Sequence, residues 1–420
     1  MKKSISFLLV LLLSTCMVLT GCGEREEIIV EYAEGTLQFE SVYSELAGTE
    51  LKVYNWGNYI SDGADGTIDV NEEFEKLTGI TVVYDNYDSN ESLYAKLSSG
   101  GADYDVVIPS DYMIGRLISE GYLEELDFDN IPNYQFIDDI YKNTQYDPEN
   151  KFSVPYSVGK VGIIYNTYMV EGEPTSWSLM WDEQYKGKIL NFNNSRDAFA
   201  ISQFYNGIDI NTTSPSDWDK AFDSLVEQKQ ILQSYVMDEV FNKMENGEAA
   251  IAPYYAGDFF TMYGNNEDLA FFYPEEGTNV FIDAACILKG SKNKKAAELY
   301  INFLMDPSIA QANAEYIYYA SPNTAVVENE EYIAYLEELH PDAYDILYGS
   351  MDNPKDDSFE DLPAETKTYM TEKWTQLGAT ATEDSGNDIV YAVCIVLLVI
   401  LLTWFIFLEI RKKKRERMYS

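Results

Sequence analysis

The chain has 420 residues, 46% of them hydrophobic and 14% aromatic, and carries a net charge of −42 at neutral pH. That length and apolar content suffice for more than one buried core, and a body this acidic repels a phosphate backbone, which excludes nucleic-acid binding. Four cysteines (Cys16, Cys22, Cys286, Cys394) and the single His340, on a surface turn before Pro341, exclude a disulfide framework, a cysteine-rich zinc site and a Ser/His relay.

At the front, Lys2 and Lys3 precede an apolar run up to Leu19 that is too short to span a bilayer, so residues 1–21 read as an export signal. Leu19-Thr20-Gly21-Cys22 resembles the bacterial lipobox, in which cleavage leaves an N-terminal, acylated Cys22. Residues 22–48 follow as a tether. Leu51–Trp56 alternates as a strand that Gly57 breaks, and Asp69 caps a helix that Gly79 stops. Ile80–Tyr84 resumes strand character, Ser89 opens a helix through Leu97, and Tyr104–Ile108 is β-rich. This βαβαβ order implies a parallel sheet. Ligands of such open sheets bind beyond the carboxyl ends of the strands, which singles out Trp56, Asp85 to Tyr87, and Ser110 to Tyr112.

A helix over 112–120 and a polar crossing lead to Phe152–Tyr156, a strand at Gly162–Asn166, a helix start at Ser176–Trp181 and a strand at Gly187–Asn191. Asn193 to Asp197 put amides and a carboxylate directly after that strand. Val240–Glu248 is helical, Ala249–Tyr254 is a strand, Val280–Ala284 returns toward the first lobe, and Lys292–Met305 is an amphipathic helix. Ile389–Leu408 contains no charge over the length of a bilayer-spanning helix, and Arg411 to Arg415 behind it put the C-terminus in the cytoplasm. The expected division is therefore a signal at 1–21, a tether at 22–48, a first lobe at 49–157, a second at 158–278 and a return to the first at 279–325. Helices at 326–377 pack on the second lobe, followed by a linker at 378–388, a transmembrane helix at 389–408 and a basic cytoplasmic tail at 409–420.

The chemistry converges on Pro253-Tyr254-Tyr255-Ala256-Gly257-Asp258. Two rings attract a desolvated cation, glycine removes bulk, and the carboxylate of Asp258 accepts charge-assisted hydrogen bonds from an ammonium group. An ordinary strand end running into a turn has the same composition. Adjacent acid pairs such as Glu72-Glu73 and Glu330-Glu331 point apart on regular structure and form solvated surface. No glycine-rich phosphate loop is present.

Several segments, in order along residues 50 to about 375, resemble the periplasmic spermidine/putrescine-binding proteins of ATP-driven importers. They are VYNWGNYI (53–60), YDSNESLYAKL (87–97), YDVVIPSDYMIGRL (104–117), VPYSVGKVGIIYN (154–166), YKGKIL (185–190), YAGD (255–258), LYINFLMDPSIA (299–310) and YYASPN (318–323). The resemblance implies two α/β lobes joined by crossing hinge strands, a linear polyamine as ligand, a membrane permease as partner, no cofactor and no catalysis. It carries Trp56, Tyr59, Ser110 and Tyr112 onto the first lobe's wall and makes Asp197, Tyr255, Asp258, Asp283 and Tyr319 the rest of the ligand site. Tyr255 stands where the family has a stacking tryptophan, and Asn194 falls near a position that is acidic in spermidine binders. Ferric iron held by tyrosines, or a carboxylate-based extracellular hydrolase, are the alternatives the residues leave open.

Overall fold

The structure, a computed structural model, describes residues 29–349 and 353–381. The signal at 1–21, Cys22, the 389–408 segment and the basic tail lie outside these residues. Among the described residues no helix is long and apolar enough to cross a membrane. Nine strands run along them: β1 (Glu50–Trp56), β2 (Thr81–Tyr87), β3 (Val106–Val107), β4 (Ser153–Asn166), β5 (Ile189–Phe192), β6 (Leu232–Val236), β7 (Ile251–Tyr255), β8 (Leu269–Phe272) and β9 (Val280–Ile287). Contacts divide the chain into two compact mixed α/β units. The first holds the described residues up to Pro109, Leu117–Ser157 and Asp283–Tyr335; the second holds Ser110–Arg116, Val158–Ile282 and the described residues from Leu336 on. Both β4 and β9 contain a boundary between units.

In the first unit, β1 pairs in parallel with β2 from Glu50↔Thr81 to Trp56↔Tyr87 and with β3 at Val53↔Val106. The antiparallel β9 closes this sheet at Val107↔Cys286. Local chemistry fixes the intervening helices. The Asp69 carboxylate accepts from the Glu72 amide at 2.9 Å to start helix Val70–Thr78, and Gly79 ends it at φ 70°. Ser89 and Ser92 form a capping box on helix Asn90–Ser98. Phe74 and Tyr300 meet edge to face at 5.0 Å in the core. Cys286, fully buried in β9, has its thiol pushed well above the ordinary range by that burial.

The expected tether at 22–48 is structured over its second half, in helices Glu34–Leu37 and Glu40–Leu46. Both a short apolar stripe, Phe39, Val42, Tyr43 and Leu46 at helical spacing with Tyr43 buried, and buried polar groups hold it to the first unit. The Thr36 hydroxyl donates to Asp306 Oδ2 at 2.6 Å and accepts from Asn133 Nδ2 at 2.6 Å, and the Ala33 amide donates to the same carboxylate at 2.7 Å.

The second unit is built on β4, which pairs antiparallel with β7 from Val161↔Tyr255 to Tyr165↔Ile251 and with β8 from Ile163↔Phe272 to Asn166↔Leu269. β5 runs parallel to both β7 and β6. Helices Ser195–Tyr205, Pro215–Lys229 and Ala364–Ala379 bury Phe199, Trp218, Leu225, Met370 and Leu377 together. Lys229 Nζ donates to the Leu377 and Thr380 carbonyls at 2.5 and 2.9 Å, satisfying the C-terminus of the last helix. His340, expected on a surface turn, is half-buried with its ring 4.7 Å from that of Tyr263, and burial lowers its pKa.

Residues 353–362 form a strap against the second unit's part of β4 at Lys160. Asp356 forms an ion pair with Lys160 of β4, the side chains being 4% and 1% exposed, and Lys160 Nζ lies 4.3 Å from the centre of the Tyr273 ring. The strap's backbone continues into β9: the Asp357 amide donates to the Thr278 carbonyl at 3.1 Å and the Val280 amide to the Asp357 carbonyl at 2.9 Å. Gly277 makes this crossing possible, since it has φ +99° and a Cβ there would sit 2.1 Å from the Lys355 carbonyl oxygen. Removing one partner of a buried pair leaves an uncompensated charge. Asp356→Ala is expected to destabilise the second unit by about 3–5 kcal/mol, read as a shift of its urea unfolding transition.

Candidate ligand-binding site

In the first unit the parallel strands β1 and β2 end in register, so Trp56 and Tyr87 come side by side with ring centres 4.7 Å apart. Trp56 Nε1 and the Tyr87 hydroxyl both donate to the Ile108 carbonyl just beyond β3, at 2.9 and 2.6 Å. Asp283, which begins this unit's part of β9, is buried and accepts from the Tyr59 hydroxyl at 2.7 Å. The Tyr59 ring meets Tyr319 edge to face at 5.2 Å, and the Tyr156 hydroxyl donates to the Tyr59 carbonyl at 2.7 Å. Tyr59 and Tyr319 of the expected site therefore gather with Tyr156 beside Asp283, while Trp56 packs on Tyr87, whose phenol feels the Asp283 charge. Burial, and after it the Asp283 charge, push the Tyr59 phenol well above its ordinary range. Tyr59 is thereby kept as a proton donor.

In the second unit two parallel neighbours, β5 and β7, each run straight into a helix. Asp197 lies in the first turn of Ser195–Tyr205, and Asp258 in the first turn of Ala256–Asn265. A helix N-terminus favours a negative side chain at both places. The stretch opened by Tyr255 is thus a strand-to-helix junction rather than a turn. The Tyr255 hydroxyl donates to Asp197 Oδ2 at 3.0 Å, and Asn194 Nδ2 donates to the same oxygen at 2.7 Å. Burial first and the Asp197 charge second raise the Tyr255 pKa well above the ordinary value. Asp258 is half-buried and is the first of four carboxylates whose charge, behind burial, raises the pKa of Tyr254.

Ser110 and Tyr112, expected on the first lobe's wall, cluster instead with the second unit. The reason is local packing: the Ile282 amide donates to Asp111 Oδ2 at 3.2 Å, and the Tyr112 ring meets Phe359 edge to face at 5.8 Å. Sequence reasoning missed Phe281, whose ring lies 5.5 Å from that of Tyr255 and passes so close to Gly159 that a Cβ there would fall 2.3 Å away. The signal was available, because Phe281 is the aromatic residue of the apolar run Val280–Ala284 that holds the candidate Asp283.

Residues 70–338 match the family of bacterial extracellular solute-binding proteins. The spermidine/putrescine-binding periplasmic protein of Salmonella typhimurium is 32% identical over 312 residues, which cover 73% of this chain and 88% of that protein. The chain belongs to the bacterial extracellular solute-binding proteins. Two solved structures agree with this membership. The spermidine/putrescine ABC transporter substrate-binding protein PotD of Streptococcus pneumoniae superposes with a TM-score of 0.66 at 30% identity, covering 79% of this chain and 99% of that one. A putative spermidine/putrescine ABC transporter from Listeria monocytogenes superposes with a TM-score of 0.72 at 31% identity, again over 79% of this chain and 99% of that one. The expected two-lobed α/β class therefore stands. A solute-binding protein holds its ligand without transforming it, and the candidate groups are accordingly acids and rings.

The raised phenols of Tyr59, Tyr87, Tyr156 and Tyr255 give this solute-binding protein a defined alkaline limit. Below the ordinary tyrosine pKa of about 10 they are protonated in both the folded and unfolded chain and add no pH slope. Above it the unfolded chain binds fewer protons, so stability falls as pH rises toward the folded pKa values. Urea midpoints are expected to be insensitive to these groups near about pH 8 and to drop by about pH 11; substituting Tyr59 or Tyr255 by Phe is expected to reduce that drop.

Proposed function

We propose that this protein captures a linear polyamine outside the cytoplasm and delivers it to the permease of an ATP-driven importer. The observation that carries the reading is Asp283, a carboxylate 3% exposed among tyrosines and bound to the Tyr59 hydroxyl at 2.7 Å. A neutral donor steadies that carboxylate without cancelling its charge, which suits it to an organic cation. Aromatic faces around it add cation–π attraction. The second unit offers a matching group of its own in Asp197, Asp258, Tyr255 and Phe281, and Trp56, Ser110, Tyr112 and Tyr319 are the further ligand contacts of this reading. The names of the Salmonella and Streptococcus relatives, both spermidine/putrescine-binding, support the same ligand class.

In this reading residues 1–21 are removed on export, Cys22 is acylated, and residues 389–408 cross the membrane so that 409–420 lie in the cytoplasm. These anchors rest on the amino-acid sequence alone.

Titration calorimetry of the full chain in detergent tests the ligand reading. Asp283→Asn keeps shape but deletes a desolvated charge, so affinity for spermidine and putrescine is expected to fall by about 2–5 kcal/mol, roughly 30-fold to several-thousand-fold. Asp258→Asn, at a half-exposed position, is expected to lose less, and Glu330→Gln on the surface to change nothing but a salt-sensitive on-rate. Equal affinities for wild type and Asp283→Asn would refute the assignment.

Cys22→Ala is expected to abolish lipid labelling while leaving the protein in the membrane fraction, held by residues 389–408. Release of that variant into the soluble fraction would remove the transmembrane segment from this reading.

A further inference from the structure

The strap carries one aromatic residue toward the candidate site. Phe359 is buried, and its ring is the edge-to-face partner of Tyr112, with centres 5.8 Å apart at 88°. The same ring has the Arg196 guanidinium carbon 4.5 Å from its centre. Arg196 is itself buried and precedes Asp197 in the first turn of Ser195–Tyr205. A bracket made by Asn211 holds the backbone on both sides of the ring: Asn211 Nδ2 donates to the Ser358 carbonyl at 2.9 Å and Asn211 Oδ1 accepts from the Glu360 amide at 2.9 Å. Arg196 Nη2 donates to that same Asn211 oxygen at 2.8 Å and to the Glu360 carbonyl at 3.3 Å. Phe359, Arg196 and Asn211 thus form one splint beside both Tyr112 and Asp197.

Resting on the polyamine reading above, we propose that Phe359 is a positioning residue: it fixes the Tyr112 ring in the orientation that binds the ligand, and Asn211 fixes Phe359. A ring left to rotate in the free protein must be ordered when ligand arrives, and that ordering weakens affinity without any ligand contact being removed. Phe359 is not a ligand contact in this scheme and acts only through Tyr112.

The scheme separates from a purely structural role by a double-mutant cycle. Phe359→Leu keeps apolar volume but removes the ring edge, and is expected to weaken spermidine binding by about three- to tenfold with a small change in ligand-free melting temperature. Asn211→Ala, which loosens the bracket from the far side, is expected to weaken binding in the same direction. In a Tyr112→Leu background Phe359→Leu is expected to have no further effect on affinity, because the ring it positions is gone. All these proteins are compared as full chains in detergent by titration calorimetry. Unchanged affinity in Phe359→Leu, or the same loss in both backgrounds, overturns the positioning role while leaving the polyamine reading intact. Wild-type protein that binds neither spermidine nor putrescine overturns that reading and this inference with it.

Discussion

The buried pair of Lys160 and Asp356 is the interaction on which the second unit's architecture depends. Lys160 sits near the start of that unit's part of β4, and a buried ammonium group there requires a carboxylate. The chain supplies it from almost two hundred residues downstream. Once Asp356 is fixed, the neighbouring Asp357 can pair with Thr278 and Val280, and Phe359 reaches Tyr112 and Arg196. The ion pair fixes one end of a segment that has no regular structure of its own, and the Asn211 bracket fixes the other. Gly277 is the steric condition for it, since any larger residue would collide with the Lys355 carbonyl.

The candidate ligand groups follow a different electrostatic rule. Asp283 and Asp197 are each held by a tyrosine hydroxyl, and Asp197 by an asparagine amide as well. Neutral donors restore part of the hydration that burial removes, yet they leave the net charge in place. Burial keeps those tyrosines protonated, so the donors persist at any physiological pH. Asp356, which serves architecture, meets a lysine, whereas Asp283 and Asp197 of the candidate site each accept from a phenol. This division lets one strongly acidic chain use carboxylates both as internal struts and as sites for an incoming cation.

Much of the first unit was legible in the sequence because its signals are local. Asp69, Gly79 and Ser89 are caps and stops that act within a few residues, and the strands between them alternate or run apolar. Trp56 was legible as a candidate for the same reason, since it closes a strand, whereas Asp283 came only from the family resemblance. Features that depend on distant partners were not legible. Thr36 is buried by polar contacts to Asn133 and Asp306, which leave no periodic trace. Helix Ser195–Tyr205 starts within a stretch of amides and charges that reads as loop, although Asn194 is a good cap in retrospect. Ser110 and Tyr112 were recognised as candidates, but the unit they cluster with is set by distant partners, Ile282 for Asp111 and Phe359 for Tyr112.

Cys286 has a practical consequence for spectroscopy. Among the described residues it is the free cysteine, fully buried, with its thiolate form disfavoured. Alkylating dyes and spin labels react with thiolates, so this side chain stays silent toward them while the protein is folded. Ile140 in the first unit and Tyr168 in the second are 69% and 84% exposed. A cysteine introduced at either would be the accessible thiol of residues 29–349 and 353–381, and each unit could carry its own reporter without replacing the native thiol.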